Sequence, residues 1–116
     1  MTFTLQLNFY YESMRSEIRT MDHPMKIIFF DKERILAFYR KISYIRKCAI
    51  SEPDRGLITM IDTSRHNSIF LDLSPKLFKD YIRIGYIVGN GLLPLSKVDD
   101  LLKACLAAAE STNQGD

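Results

Sequence analysis

The sequence predicts an α+β domain: a small, mostly antiparallel β-barrel with two or three helices. Three observations carry this. The first residues alternate apolar and polar with a period of two. The period changes to three and four from about residue 32. Several short β-prone runs separated by turn residues then follow.

"FTLQLNFYY" (3–11) places Phe3, Leu5, Leu7, Phe9 and Tyr11 on one face and Thr4, Gln6, Asn8 and Tyr10 on the other, the pattern of a half-buried strand. "ESMRSEIRTMDHP" is polar and mixed, either a second strand or a short helical turn, and the His23-Pro24 step ends it. "MKIIFF" is a short β-prone run, and Met25 offers an internal start that would make residues 1–24 an extension.

Ile35, Phe38, Ile42, Ile45 and Ala49 are three and four apart, flanked by Leu36 and Tyr39, with Asp31 at the N-cap. The spacing predicts a helix over 32–43. Continued further, it would bring Arg46 near the middle of the apolar face, where a charge is costly. The helix is therefore ended near Ser43, and "YIRKCAIS" is read as a strand.

"EPDRG" is a turn, with Pro53 and Gly56 around Asp54. "LITMID" and "SIFLDL" are strands joined by "TSRHN" as a hairpin. Ser74-Pro75 caps a short helix, "PKLFKDY". For 82–88 two patterns compete. Ile82, Ile84, Tyr86 and Val88 suit a strand, followed by a turn at Gly89-Asn90-Gly91 and the strand "LLPLS". Leu77, Phe78, Tyr81 and Ile82 suit one helix over 75–88 with Gly89 at its C-cap. The strand is preferred. Ser96 caps a last helix with Asp99 and Asp100 in its first turn. Its stripe is Val98, Leu101, Leu102, Cys105, Leu106 and Ala109, and "STNQGD" is a disordered tail.

With 116 residues, 47% hydrophobic and 26% charged, the chain fits one globular domain over 1–110, ahead of the tail at 111–116. The net charge of +2 gives no general pull toward nucleic acid or membrane. The run of ~18 apolar residues that a membrane span needs is absent, as is a secretory signal. Cys48 and Cys105 are too far apart and too few for a disulfide framework or a zinc pattern, and suit reduced thiols in a cytoplasmic protein.

Chemistry-bearing residues are sparse. His23 and His66 have no ligand partners at metal spacing. No nucleophile elbow, phosphate-cradling loop or zinc-protease motif occurs. Asp62 and Asp72 are each the polar member, or the end, of an alternating strand. No catalytic, cofactor or metal site is expected, and the chain is expected not to be an enzyme.

A basic cluster stands out. Residues 31–50 carry six positive and two negative side chains, a difference of +4, with Tyr39 and Tyr44 between them. Arg40, Lys41, Tyr44, Arg46 and Lys47 are the candidate contacts for phosphate or nucleic acid, the tyrosines stacking on bases. The plainer account is the solvated outer face of a helix. Asp62-Thr63-Ser64-Arg65-His66-Asn67 is close to the D-x-S-x-x-G loop that holds a cyclic dinucleotide in PilZ domains, with Asn67 in place of glycine. Arg40 and Arg46 are six apart and do not fit the R-x-x-x-R arm of those domains, so Asp-x-Ser is read as a turn whose side chains bond nearby backbone.

"ERILAFYRKI", "GLITMIDTSRHNSIFLDLSP" and "YIRIGYIVGNGLLPLS" occur in an order that resembles the PilZN-type N-terminal domain of bacterial flagellar-brake proteins, across about 65 residues. The likeness is one of strand order more than of a motif. It implies a small split β-barrel that contacts protein partners and adjusts a neighbouring PilZ domain in cyclic-di-GMP control of motility. The nucleotide-binding arginines of that family lie in its linker and second domain, which this sequence lacks.

The functional expectation is a regulatory protein-interaction module. It docks a protein partner, or a second copy, through Leu101, Leu102, Cys105 and Leu106 of the last helix or through an exposed edge strand. The alternatives are nucleic-acid contact through residues 40–47, and a ferredoxin-like small-molecule regulatory domain, which requires the long helix over 75–88.

Overall fold

A computed structural model of the chain describes residues 2–7, 10–12, 18–20, 25–63, 68–75, 79–86 and 89–110. The elements run β1 (Phe3–Leu7), β2 (Tyr10–Glu12), β3 (Ile18–Thr20), β4 (Met25–Phe29), α1 (Lys32–Ser51), β5 (Leu57–Asp62), β6 (Ser68–Leu73), β7 (Tyr81–Tyr86), β8 (Gly89–Pro94), a 3-10 turn (Leu95–Lys97) and α2 (Val98–Glu110).

All pairing is antiparallel. β1 and β4 form a two-stranded ribbon. The second sheet has the order β3-β2-β8-β7-β6-β5. Its body is the four-stranded meander β5 to β8, and the β2–β3 hairpin joins through the single pair Tyr10–Leu92. The expected barrel is not found: among the described residues the ladder is linear, with β5 and β3 at its two edges. The α+β class holds, with two α-helices among the described residues.

The core forms where the apolar faces converge. Leu5, Leu7, Ile27 and Phe29 of the ribbon meet Ile35, Phe38, Ile42, Ile45 and Cys48 of α1. Ile61, Ile69, Leu71, Ile82, Ile84 and Leu93 close it from the sheet, and Val98, Leu101, Cys105 and Ala109 from α2. Phe29 and Phe38 meet with centroids 5.4 Å apart and rings tilted by 55°, a favoured aromatic arrangement.

Asp31 caps α1, its Oδ1 accepting from the Arg34 amide at 2.9 Å. The helix then runs eight residues beyond Ser43, so "YIRKCAIS" is helix and not strand. The buried stripe continues through Ile42, Ile45 and Cys48. Arg46 lies on its flank, partly exposed, and its guanidinium reaches Asp99 of α2. A long side chain at the edge of a stripe keeps its charge in water while its stem packs.

The turn over 52–56 is present, with the Arg55 amide donating to the Glu52 carbonyl at 3.0 Å. β5 and β6 match the expected hairpin strands residue for residue. Tyr81–Tyr86 is a strand, which removes the long helix over 75–88 and with it the requirement of the ferredoxin-like alternative. A helix through Tyr81 is likewise absent. Asp80 sits at φ 66, incompatible with a continuing helix, and its carbonyl accepts from the Leu95 amide at 3.0 Å. Residues 76–78 of that expected helix lie outside the described residues.

Gly89-Asn90-Gly91 is not a turn. It belongs to β8, with Tyr86 opposite Gly89 and Ile84 opposite Gly91, and no described glycine has positive φ. Pairing with β7 outweighs the local turn preference of these residues. Ser96 lies inside the 3-10 turn rather than next to the first residue of α2, while Asp99 and Asp100 do occupy the first turn of that helix. The tail at 111–116 is outside the described residues.

Candidate functional site

The strand register divides the β5–β6–β7 face into rows. On the inner side Leu57 lies opposite Leu73, Thr59 opposite Leu71 and Ile61 opposite Ile69, and most of these side chains enter the core. On the outer side Ile58 lies opposite Asp72, Met60 opposite Phe70 and Asp62 opposite Ser68. Continuing across β6, Asp72 faces Arg83 and Phe70 faces Gly85.

Ile58 and Met60 keep 66% and 59% of their surface exposed. Both belong to an edge strand in which Asp62 is the only charge. Natural edges are usually blunted by lysine, proline or a bulge, and Leu57–Ile61 contains no charged residue and no proline. The outer face of the β1–β4 ribbon differs: there Ile28 is interspersed with Thr4, Gln6 and Lys26.

Beside the apolar row stands a fixed charge pair. Asp72 is only 2% exposed. Its Oδ2 accepts from Arg83 Nη2 at 2.8 Å and its Oδ1 from the Ser74 hydroxyl at 2.6 Å. The Arg83 guanidinium also lies over the Phe70 ring, 5.1 Å from its centroid. A buried carboxylate persists only when paired and hydrogen-bonded, and these partners supply both conditions. The pair thereby holds Phe70 next to Met60 on the outer face. The sequence offered a sign of this: an aspartate between Leu71 and Leu73, and a lone arginine in the apolar strand "YIRIGY".

The expected site residues fall into three groups. Arg40, Lys41 and Lys47 are exposed on α1, and Tyr44 is 47% exposed. At about 100° per residue, Arg40, Tyr44 and Lys47 share one outward stripe. Arg46 turns away from them toward Asp99, about 240° around the helix from Arg40, so those two arginines cannot act as one clamp. Of the α2 contacts, Leu101 and Cys105 are buried in the chain's own core and Leu102 is half-buried, which leaves Leu106 as the exposed member. Helix α2 packs against α1 and β1 of the same chain.

Asp62 and Asp72 do not form a carboxylate pair. They are ten residues apart in sequence, and the register separates them by four rungs, about 13 Å along the strands. Asp62 accepts from the Ser68 hydroxyl at 3.1 Å. His23, His66 and the loop Ser64–Asn67 lie outside the described residues. Both cysteines are free and buried, and burial pushes the Cys105 thiol up to about 12. Among the described residues no group of three or more His, Cys, Asp or Glu side chains is placed to hold a metal, and no helix is long and apolar enough to cross a membrane.

No protein-family model, curated protein or solved structure matches the chain.

Proposed function

We propose that this chain is a non-enzymatic regulatory module that docks a protein partner along β5. The observation that carries the proposal is the charge-free edge Leu57–Ile61, with Ile58 and Met60 exposed beside Phe70. An extended partner segment adds there as a further strand. Backbone hydrogen bonds give affinity, and the Ile58–Met60–Phe70 row gives side-chain selectivity. The setting is cytoplasmic regulation of bacterial motility, as in the PilZN-type domains of flagellar-brake proteins. The order of α1, the β5–β6 hairpin and the β7–β8 hairpin supports that setting, and in it the six-stranded sheet corresponds to the bent sheet of a split barrel. Arg40 and Arg46 diverge on α1 and do not make a paired-arginine clamp for cyclic-di-GMP.

The test is to tag the protein in its host, cross-link lightly, and identify captured proteins with and without nuclease, for wild type and for Ile58→Lys/Met60→Lys. Motor or PilZ-domain proteins that survive nuclease and are lost from the variant are the expected result. Capture that ignores the variant and vanishes with nuclease would overturn the proposal.

A second reading rests on α1. From Arg34 to Ser51 the chain carries five basic residues and no acidic one, and Arg40, Tyr44 and Lys47 share an exposed stripe. Such a face fits a phosphate backbone with a base stacked on Tyr44. It predicts affinity for a single-stranded oligonucleotide that falls with salt and is lost in Arg40→Ala/Lys47→Ala.

A further inference from the structure

We infer that the β5 edge takes a second copy of this chain, the two β5 strands pairing antiparallel about Thr59. This rests on the proposal that β5 is the docking edge and names its occupant.

The argument is self-complementarity. Side chains on a strand alternate between faces, so a two-fold axis joins like face to like face only when a residue pairs with itself or with one an even number away. Two such registers bring the strand centres together. About Met60, Ile58 would meet Asp62 and Thr59 would meet Ile61, setting apolar side chains against polar ones. About Thr59, Ile58 meets Met60 on the outer face and Leu57 meets Ile61 on the inner face. Asp62, the single charge of the strand, then meets Gly56, beside Arg55 of the other copy. No like charges are directly opposed. The Arg55 guanidinium is exposed and pairs with Glu52 of its own turn, at 2.8 Å.

The pairing unites two open sheets through their apolar edges and covers Ile58 and Met60 of both copies. β5 is six residues, about 20 Å long. An interface of one strand pair and its flanking side chains falls at the small end of specific interfaces, which fits a reversible, concentration-dependent dimer rather than a permanent one.

The test uses the purified full chain. Sedimentation across the micromolar range is compared for wild type, Ile58→Lys and Met60→Lys, with circular dichroism to confirm that both exposed-site variants fold. Thr59→Cys is then oxidised mildly. Cys48 and Cys105 are buried, so the new thiol is the reactive one. Directly paired Cα atoms on neighbouring strands lie within disulfide range. The inference expects a wild-type dimer, dimerisation weakened about tenfold or more in each lysine variant, and a disulfide-linked dimer from Thr59→Cys but not from Met60→Cys. A monomer throughout the range overturns it, as does a dimer that ignores both lysines or that cross-links through Met60→Cys. If the wild type is monomeric while Ile58→Lys/Met60→Lys still abolishes nuclease-resistant capture in the host, the docking edge stands and only its occupant is wrong. If the lysines affect neither, both proposals fall.

Discussion

Asp72→Ala tests the account of the outer face most sharply on the side of stability. The Asp72 side chain is 3% exposed and that of Arg83 27%. Removing the carboxylate breaks the 2.8 Å ion pair to the largely buried Arg83 guanidinium and takes from the Ser74 hydroxyl the oxygen it donates to. Breaking a buried pair from one side costs about 3–5 kcal/mol. Arg83 reaches some water, so the lower end applies, about 3 kcal/mol. With an unfolding entropy of about 2.1 cal/mol/K per residue, a chain of 116 residues loses about 12 °C of midpoint for that cost. The assay is thermal and urea unfolding followed by circular dichroism. Two comparisons isolate burial as the cause. Arg55→Ala breaks an ion pair of the same 2.8 Å length, but its side chains are about half exposed, so its midpoint stays near wild type. Asp72→Leu/Arg83→Met replaces the pair as a unit with apolar side chains instead of breaking it from one side, and recovers most of the loss. A loss below about 1 kcal/mol for Asp72→Ala, or a double variant less stable than Asp72→Ala, would refute the reasoning.

Other consequences follow from the core and caps. Phe38 is fully buried against Phe29, so Phe38→Ala costs about 3–5 kcal/mol in urea unfolding. Asp31→Ala removes the cap of α1 and costs about 1 kcal/mol; no change would mean that the cap does not form. Neither cysteine reacts with a thiol reagent in the native state at neutral pH, and both react in denaturant. Because burial raises the folded Cys105 above its unfolded value, its contribution to stability is intact below the ordinary thiol range and is lost as pH rises toward about 12. Rapid native labelling, or stability that is flat through that window in wild type and Cys105→Ala alike, would contradict the burial.

Elements whose partners are close in sequence were legible in it. Ile35, Phe38, Ile42 and Ile45 announce α1 by spacing, and "LITMID" and "SIFLDL" announce a hairpin by alternation. What was not legible depends on distant partners. The continuation of α1 past Ser43 sets Arg46 on the flank of the buried stripe, where its guanidinium meets Asp99, 53 residues away. Gly89-Asn90-Gly91 suits a turn locally, and only pairing with β7 makes it strand. The stripe of α2 resembles a contact surface until α1 and β1 cover it. The candidate face was half-visible: an edge strand was anticipated, but which strand and which of its side chains face outward depend on sheet order. Asp72 and Arg83 are each an isolated charge in an apolar run, but that they meet follows from the register of two strands.

The most direct measurement is site-specific photo-cross-linking in the host, with the photoreactive residue placed at Met60 on the docking edge or at Arg40 on the outward stripe of α1. The account predicts protein adducts from position 60, including the chain itself, that are unchanged by nuclease, and few from position 40. Adducts confined to position 40 and abolished by nuclease would contradict it and transfer function to the basic face of α1.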